Sequence, residues 1–179
     1  MYSRTPGLIR FLSLVAVIAA LSGCGGGSSG GEPQVTRAVR GPGFLFRVPA
    51  GRAVERTDRA VIVQPLEEES VELESVSRFP LVKPFRPSLW PRVVTELDGV
   101  AAKLASGLSG ELVSSEDVRA GGRRARRYEI TYSRGGADLR QRITFVFRRR
   151  EELQLLCRYV AADTPPPACT LLEQTFRIV

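Results

Sequence analysis

The chain has 179 residues, a formal net charge of +7 and no histidine. The lack of histidine excludes Ser-His-Asp and Cys-His catalytic sites and zinc sites built on imidazole. The length allows one ordinary domain beyond any targeting segment.

The chain starts with the features of a secretory leader. Arg4 and Arg10 give a positive start, and the apolar run from Phe11 to Leu21 is interrupted only by Ser13. A membrane-spanning helix needs about 20 apolar residues, and this run is shorter. A charged start, a short apolar middle and a small-residue end are typical of a cleaved signal. The sequence therefore predicts export and removal of residues 1–23.

The end of the leader resembles a bacterial lipobox. Leu21-Ser22-Gly23-Cys24 places a leucine and two small residues before a cysteine. The resemblance implies that Cys24 receives a diacylglyceryl thioether, becomes the mature N-terminus and anchors the protein to the membrane. Acyl chains give lasting attachment because each buried methylene contributes about 0.8 kcal/mol. The alternative is a soluble exported protein in which a cysteine follows the leader by chance.

A run of glycine and serine follows the lipobox. Residues 25–31 contain only these two residue types, and the Lys-Ser or Lys-Thr ending of a phosphate-binding loop is missing. We interpret residues 24–43 as the lipidated cysteine and a flexible tether. Residues 44–179 then form the globular domain.

Three short strands are predicted at the start of the domain. Phe44 to Val48 alternates apolar and other residues, and Pro49-Ala50-Gly51 forms a turn after it. Ala60 to Val63 and Val71 to Phe79 are the second and third strands, separated by the acidic turn Leu66 to Glu69. In the third strand Val71, Leu73 and Phe79 share one face, and Glu72, Glu74 and Arg78 share the other.

A proline-rich loop covers Pro80 to Pro91 and carries Lys83, Phe85, Arg86 and Trp90. Rigid loops of this kind can be binding surfaces. We favour the interpretation that Phe85 and Trp90 close the edge of the core. An amphipathic helix follows from about Pro91 to Leu108. Its apolar stripe consists of Val93, Val94, Leu97, Val100, Ala101, Leu104 and Leu108.

Four strands and a short helix end the chain. The strands, each alternating apolar and polar residues, are Glu111 to Val118, Ala125 to Ser133, Leu139 to Arg148 and Leu153 to Val160. This pattern is typical of an antiparallel sheet with one covered face. The Pro165-Pro166-Pro167 run begins the last helix, which carries Cys169. Cys157 and Cys169 are an even pair in an oxidising compartment, so we expect a disulfide between them. Two buried free thiols are the alternative.

The predicted fold class is α+β, with an antiparallel sheet of about six or seven strands flanked by the long middle helix and the short C-terminal helix. Three stretches resemble motifs of the PsbP-like family and its LpqN-type lipoproteins: the "F-x-x-P-x-G" opening in Phe44 to Gly51, Gly121-Gly122 to Ala125, and Thr175-Phe176-Arg177. The resemblance implies an α/β/α sandwich from Phe44 to Ile178. Arg52 stands where the family often has tryptophan.

The resemblance implies a non-catalytic binding or assembly module and transfers no functional residues. We therefore predict an envelope lipoprotein with a monomeric domain that is not an enzyme and uses no cofactor or metal. Its partner is an envelope protein, an anionic lipid or a wall polymer, and not nucleic acid. Two alternatives remain: a carrier for an anionic or amphipathic small molecule or lipid, and an unrecognised hydrolase whose carboxylates Glu129, Asp138 and Glu151 meet in space.

Four arginines are candidates for anion binding. Arg127, Arg140, Arg142 and Arg158 lie on strands predicted to be neighbours and could share the outward face of the sheet. Guanidinium groups bind phosphate and carboxylate in a bidentate way. The alternative is a solvated face on which Glu129 and Glu152 are their partners.

Overall fold

The computed structural model describes residues 35–67, 69–162 and 164–179. The leader, Cys24 and the Gly/Ser run lie outside these residues. The described strands are β1 (Thr36–Gly41), β2 (Phe44–Pro49), β3 (Ala53–Arg56), β4 (Ala60–Gln64), β5 (Leu73–Pro80), β6 (Glu111–Ala120), β7 (Arg123–Arg134), β8 (Ala137–Arg148), β9 (Glu151–Val160) and β10 (Arg177–Ile178). The described α-helices are α1 (Trp90–Gly107) and α2 (Pro167–Thr175), and a short 3-10 helix, Pro87–Leu89, precedes α1.

Seven of these strands form one antiparallel sheet in the order β3-β4-β5-β9-β8-β7-β6. The last four strands follow one another as hairpins. Gly121 and Gly122, between β6 and β7, have φ of +55° and +78°, a conformation that glycine adopts without steric cost. The large antiparallel sheet and the two helices confirm the predicted α+β class.

One face of the large sheet is covered by a second, smaller sheet and by α2. The smaller sheet has the order β1-β2-β10. Phe44, Phe46 and Val48 of β2 are buried and share a core with Val76 of β5 and Leu155 of β9. Burying side chains of this size contributes about 1.5–3 kcal/mol each, so this core holds the smaller sheet on the larger one.

The opposite face is covered in part by α1. Leu97 and Ala101 pack against Tyr128 of β7 and Phe145 of β8. The helix lies over the β6–β7 side of the sheet and leaves the β5–β9 side more open. For this reason Val100 and Leu104 of the predicted stripe stay 43% and 38% exposed.

The three segments with family-like motifs meet at one aromatic side chain, Phe176. Its ring centroid lies 6.4 Å from that of Phe44. A Cβ atom on Gly121 would lie only 3.0 Å from the same ring. Ala125 is fully buried in the shared core. The motifs therefore serve packing and turn formation.

The predicted tether extends too far along the chain. Residues 36–41 form β1, which pairs with β2, although we expected flexible chain up to residue 43. Val39 lies opposite Phe46 and is only 2% exposed. Its neighbours Ala38 and Arg40 are exposed, so one buried position among exposed neighbours gives no recognisable sequence pattern. The short β3, Ala53–Arg56, was also missed.

The prediction of one covered face is wrong. Tyr128 and Ile130 face α1, whereas Leu155, Cys157 and Tyr159 face the side of α2. Both sets alternate along their strands as expected. Alternation fixes which residues share a face of one strand, but the pairing register decides which face that is.

The described residues form one compact unit. Its hydrophobic clusters lie within the described residues, so the domain has its own core. None of the described helices has the length and apolar character needed to cross a membrane.

Candidate binding surfaces

The predicted cysteine pair is joined in the structure. Cys157 of β9 and Cys169 of α2 form a disulfide, and both are buried against Tyr159. The bond fixes the first half of α2 to the centre of the large sheet. Cys24 lies outside the described residues, and its lipidation stays a prediction.

A carboxylate is buried beside the disulfide. Glu74 lies opposite Cys157 in the sheet and is 1% exposed. Arg52 Nη1 lies 3.3 Å from the Glu74 carboxylate, and Arg52 Nη2 lies 2.8 Å from Glu72. Desolvation by burial raises the pKa of Glu74 to about 7, against the opposing effect of the Arg52 charge. Arg52 stands where the PsbP-like family often has tryptophan, and its guanidinium group contacts Glu72 and Glu74.

Oxygen and sulfur atoms of Glu74, Cys157 and Cys169 lie within 4.8 Å of one another. Such a set can bind a metal ion only through thiolates. Both sulfurs are committed to the disulfide, so in this state no thiolate is present there, and the Glu74 carboxyl group accepts hydrogen bonds from Arg52.

Three of the four candidate arginines share one face, and we call them the inner arginines: Arg127, Arg140 and Arg142. Arg127 lies opposite Thr144, and Arg142 lies opposite Glu129, which places all three on the side of α2. Their side chains are between 14% and 27% exposed. These three side chains therefore share a face, but this face carries α2 and is not the outward face that we expected.

Carboxylates of the same chain neutralise the inner arginines. Glu173 of α2 lies 3.0 Å from Arg127 and 3.4 Å from Arg142. Glu129 accepts two hydrogen bonds from Arg142 and lies 3.9 Å from Arg140. An external anion at this place would compete with these two carboxylates.

The local electrostatics favour the internal pairs. Burial works against the charge of Arg142, but the hydrogen bonds from this guanidinium to Glu129 and the charges of Glu173 and Glu129 outweigh burial and raise its pKa. Four buried polar atoms on the same side have no hydrogen-bond partner among the described residues: Arg127 Nε, Arg140 Nε, Thr144 Oγ1 and Tyr159 Oη.

The fourth candidate, Arg158, does not belong to this group. It lies opposite Gln141 and Leu73 in the sheet, on the side of α1. Its Nε donates a hydrogen bond of 2.9 Å to the carbonyl of Val71. Glu152 is also on that side, where Gln154 donates to it at 2.6 Å. Both residues were grouped wrongly because the register of β9 against β8 was unknown.

The three carboxylates considered for a hydrolase do not meet. Glu129 pairs with Arg142 in the middle of β7, and Asp138 accepts a hydrogen bond from Ser133 beside the β7–β8 turn. Glu151 lies at the other end of β8, opposite Arg148, and pairs with Arg78. At about 3.4 Å per residue along a strand, the length of β8 separates Asp138 from Glu151.

Phe85 and Trp90 of the proline-rich loop belong to the core. Trp90 is 3% exposed, packs at right angles to Phe147 and donates a hydrogen bond of 3.1 Å to Asp117. Phe85 stacks on Phe147 at 5.2 Å. These contacts confirm the interpretation that the two rings close the edge of the core.

A cavity of about 380 Å³ lies between the loop and α1. Its apolar walls include Phe85, Val93 and Leu97, and Lys83 and Glu152 are among its polar residues. Burial raises the pKa of Glu152, against the effect of the hydrogen bond from Gln154. The volume is at the lower end of the range found for small-molecule sites.

Sequence reasoning missed a concentration of positive charge at one end of the sheet. Arg123 and Arg124 follow the β6–β7 turn, and Arg149 and Arg150 form the β8–β9 turn. In an antiparallel meander, every second turn lies at the same end. That rule, applied to the basic turns, would have placed them together from the sequence alone.

Comparisons with known proteins define the fold. No family model matches the chain, and no curated protein matches it. The solution structure of cyanobacterial PsbP (CyanoP) from Synechocystis sp. PCC 6803 is similar with a TM-score of 0.61 and 15% identity, covering 90% of this chain and 100% of that one. The domain therefore has a PsbP-like fold.

Two further solved structures are less similar. LpqN of Mycobacterium tuberculosis, described as involved in cell envelope biogenesis, has a TM-score of 0.48 and 15% identity, covering 81% of this chain and 91% of that one. PA94 of Pseudomonas aeruginosa, a protein of unknown function, has a TM-score of 0.41 and 20% identity, covering 72% of this chain and 85% of that one. These two scores are too low to add to the assignment of the fold.

Proposed function

We propose that this protein is an extracytoplasmic lipoprotein, anchored to a membrane through Cys24, whose PsbP-like domain is a non-catalytic binding or assembly module. The observation that carries the proposal is the Leu21-Ser22-Gly23-Cys24 motif at the end of a leader. The disulfide between Cys157 and Cys169 supports it, because such bonds persist in oxidising compartments.

The chemistry of the domain supports a role in binding. Histidine is missing from the sequence, both cysteines of the domain are bonded, and Glu129 and Glu151 have separate arginine partners. A nucleophile with an adjacent base, which covalent catalysis needs, has no obvious members among the described residues.

The anchor can be tested by labelling. Cells that express the full chain are fed a palmitate analogue, and the labelled protein is measured in membrane and soluble fractions. We expect label and membrane association in the wild type, and loss of both in Cys24→Ala. The matched control is Cys157→Ala/Cys169→Ala, which removes the other two cysteines and retains the label. Label on Cys24→Ala would contradict the anchor.

One observation supports the carrier alternative, namely the cavity beside α1. Native mass spectrometry of residues 25–179, purified without denaturant, tests it. Extra mass that leaves on denaturation would show a bound small molecule. A bare monomer would favour a macromolecular partner, and cross-linking in the intact envelope would then identify it.

A further inference from the structure

One end of the large sheet combines exposed positive charge with an exposed apolar residue. We call it the basic end and define it by the loop from Leu81 to Leu89, the β6–β7 turn and the β8–β9 turn. Six basic residues belong to it: Lys83, Arg86, Arg123, Arg124, Arg149 and Arg150, and all six are exposed.

The loop is fixed to the neighbouring turn by backbone hydrogen bonds. The N–H of Leu81 donates to the carbonyl of Arg150 at 2.7 Å, and the N–H of Phe85 donates to that of Arg149 at 2.6 Å. Phe85 is also held by its stacking on Phe147. The residues between Leu81 and Phe85 therefore project from a rigid frame, which lowers the conformational entropy lost on binding.

Most positive charges at the basic end are available to a partner. Arg124 is paired with Asp117 and lies over the Trp90 ring at 4.8 Å. Among the described residues, the other five form no ion pair. Of the nearby carboxylates, Glu96 and Glu151 pair with Arg92 and Arg78. Glu152, which lines the same cavity as Lys83, accepts a hydrogen bond from Gln154 and forms no ion pair among the described residues.

The opposite end of the sheet has a different character. It carries exposed Glu67, Glu69 and Glu111 together with Lys103 and Arg134. Positive charge is therefore concentrated at one end of the strands. An anionic surface would attract the domain with the basic end facing that surface.

Val82 is the apolar element of the basic end. It is 93% exposed, and Leu89 on the same loop is 42% exposed. Lys83 and Arg86 follow Val82 closely along the chain. Val82 is not needed to close the edge of the core, because Phe85 and Trp90 already do so. Its exposed position in a rigid loop therefore has no structural role.

We propose that the basic end docks on an anionic lipid bilayer, with Lys83 and Arg86 at the headgroup phosphates and Val82 at the boundary with the acyl chains. The inference rests on the proposed function for the presence of a membrane beside the domain. It also requires the chain between Cys24 and Thr36 to extend past the length of the sheet, because Thr36 pairs with Pro49 and the residues after Pro49 lie beside Glu67 and Glu72 at the opposite end. Cations beside an anionic leaflet are stabilised electrostatically, and a small apolar element adds to the binding through its burial.

The same features favour a bilayer over other partners. An anionic wall polymer would use the positive charges and leave Val82 in water. A protein partner would need a larger apolar centre, usually with aromatic residues, and both aromatic residues of the loop are turned into the core. A bilayer uses the charges and Val82 together.

The test measures binding of unlipidated residues 25–179 to sedimenting vesicles. The domain has its own core, and circular dichroism checks that each variant is folded. We expect the wild type to bind vesicles of phosphatidylglycerol mixed with phosphatidylcholine and not to bind vesicles of pure phosphatidylcholine. Binding should decrease as the salt concentration rises. Lys83→Glu/Arg86→Glu should weaken binding at least about tenfold.

The matched control is Lys103→Glu/Arg134→Glu, which changes the net charge equally at the opposite end and should weaken binding less than about threefold. Equal losses in the two pairs, or no binding of the wild type to anionic vesicles at low salt, would overturn the proposal. Neither result would affect the labelling of Cys24, so the two proposals fail separately.

The apolar contribution has its own pair of variants. Val82→Asn should weaken binding roughly fivefold or more, because the valine no longer leaves water. Val160→Asn, at a valine that is 54% exposed at the opposite end, should leave binding unchanged. Unchanged binding of Val82→Asn would show a purely electrostatic polyanion surface and would contradict the assignment to a bilayer.

Discussion

The inner arginines and the basic end contain the same residue type in opposite physical situations. Arg127 and Arg142 lie under α2, where Glu173 and Glu129 neutralise them. Arg123, the first residue of β7, and Arg149, in the β8–β9 turn, are exposed and have no ion pair among the described residues. Half-buried charge must be paired to avoid a desolvation penalty, whereas exposed charge in turns costs little. A basic composition therefore says nothing about function until each charge is placed.

Removal of the disulfide should have the largest effect on stability, because this bond fixes the helix that carries Glu173. Cys157→Ala/Cys169→Ala should lower the free energy of unfolding by about 3 kcal/mol, as expected for a short closed loop. Urea unfolding at constant pH measures it, with Cys24→Ala as the control that leaves the domain unchanged. Equal stability of the two variants would mean that α2 is held by packing alone.

The buried carboxylate beside the disulfide gives a pH dependence. The folded protein holds the Glu74 proton up to pH about 7, whereas the unfolded chain releases it near 4.5. The folded state thus binds more protons between these values, and the free energy of unfolding falls as pH rises from about 4.5 to about 7, by at most roughly 3 kcal/mol.

The test of that dependence is urea unfolding across this pH window. Glu74→Gln should flatten the curve, while Glu152, whose pKa burial also raises, leaves part of the slope in place. Glu69→Gln changes an exposed carboxylate and should reproduce the wild-type curve. A Glu74→Gln curve as steep as that of the wild type would show that Glu74 is ionised throughout.

A single inner arginine should matter more to stability than a turn arginine. Arg142→Ala leaves Glu129 and Glu173 short of a partner and should cost roughly 1–3 kcal/mol, less than for a fully buried pair because both groups retain some exposure. Arg123→Ala should change stability by less than about 0.5 kcal/mol. Similar losses in the two variants would erase the distinction between the inner arginines and the basic end.

The smallest expected effect on stability belongs to Lys83→Glu/Arg86→Glu. Both side chains are exposed and unpaired among the described residues, so thermal unfolding should match the wild type within about 0.5 kcal/mol. The same variant is expected to lose vesicle binding, so its stability separates a surface role from a structural one. A large loss of stability would mean that these charges, like the inner arginines, have a structural role.

Much of the fold could be predicted because its long elements have strong local patterns. β7 and β8 alternate over twelve residues each, and Gly121-Gly122 marks a hairpin unambiguously. β1 was not predicted because Val39 is the only buried residue of this strand. Glu74 was placed on a polar face, since a sequence pattern gives no sign that a second sheet and α2 cover that face.

The candidate site was predicted less well, for a related reason. Arg127, Arg140 and Arg142 share a face because residues two apart on a strand always do, and β7 and β8 are joined by a short hairpin. Arg158 was added wrongly because its face depends on the register between β8 and β9. Glu173 was not considered at all, since its helix reaches the arginines only through tertiary packing.

The sequence by itself determined the predicted leader and lipobox, the order of the long elements, the pairing of Cys157 with Cys169 and the absence of histidine chemistry. These depend on local composition, periodicity and the count of a residue type. Only the tertiary structure decided which arginines are neutralised and which have no ion pair among the described residues, because that depends on strand register and on the position of α2 over the sheet. It also brought the proline-rich loop to the two basic turns, since they are neighbours in space and distant along the chain.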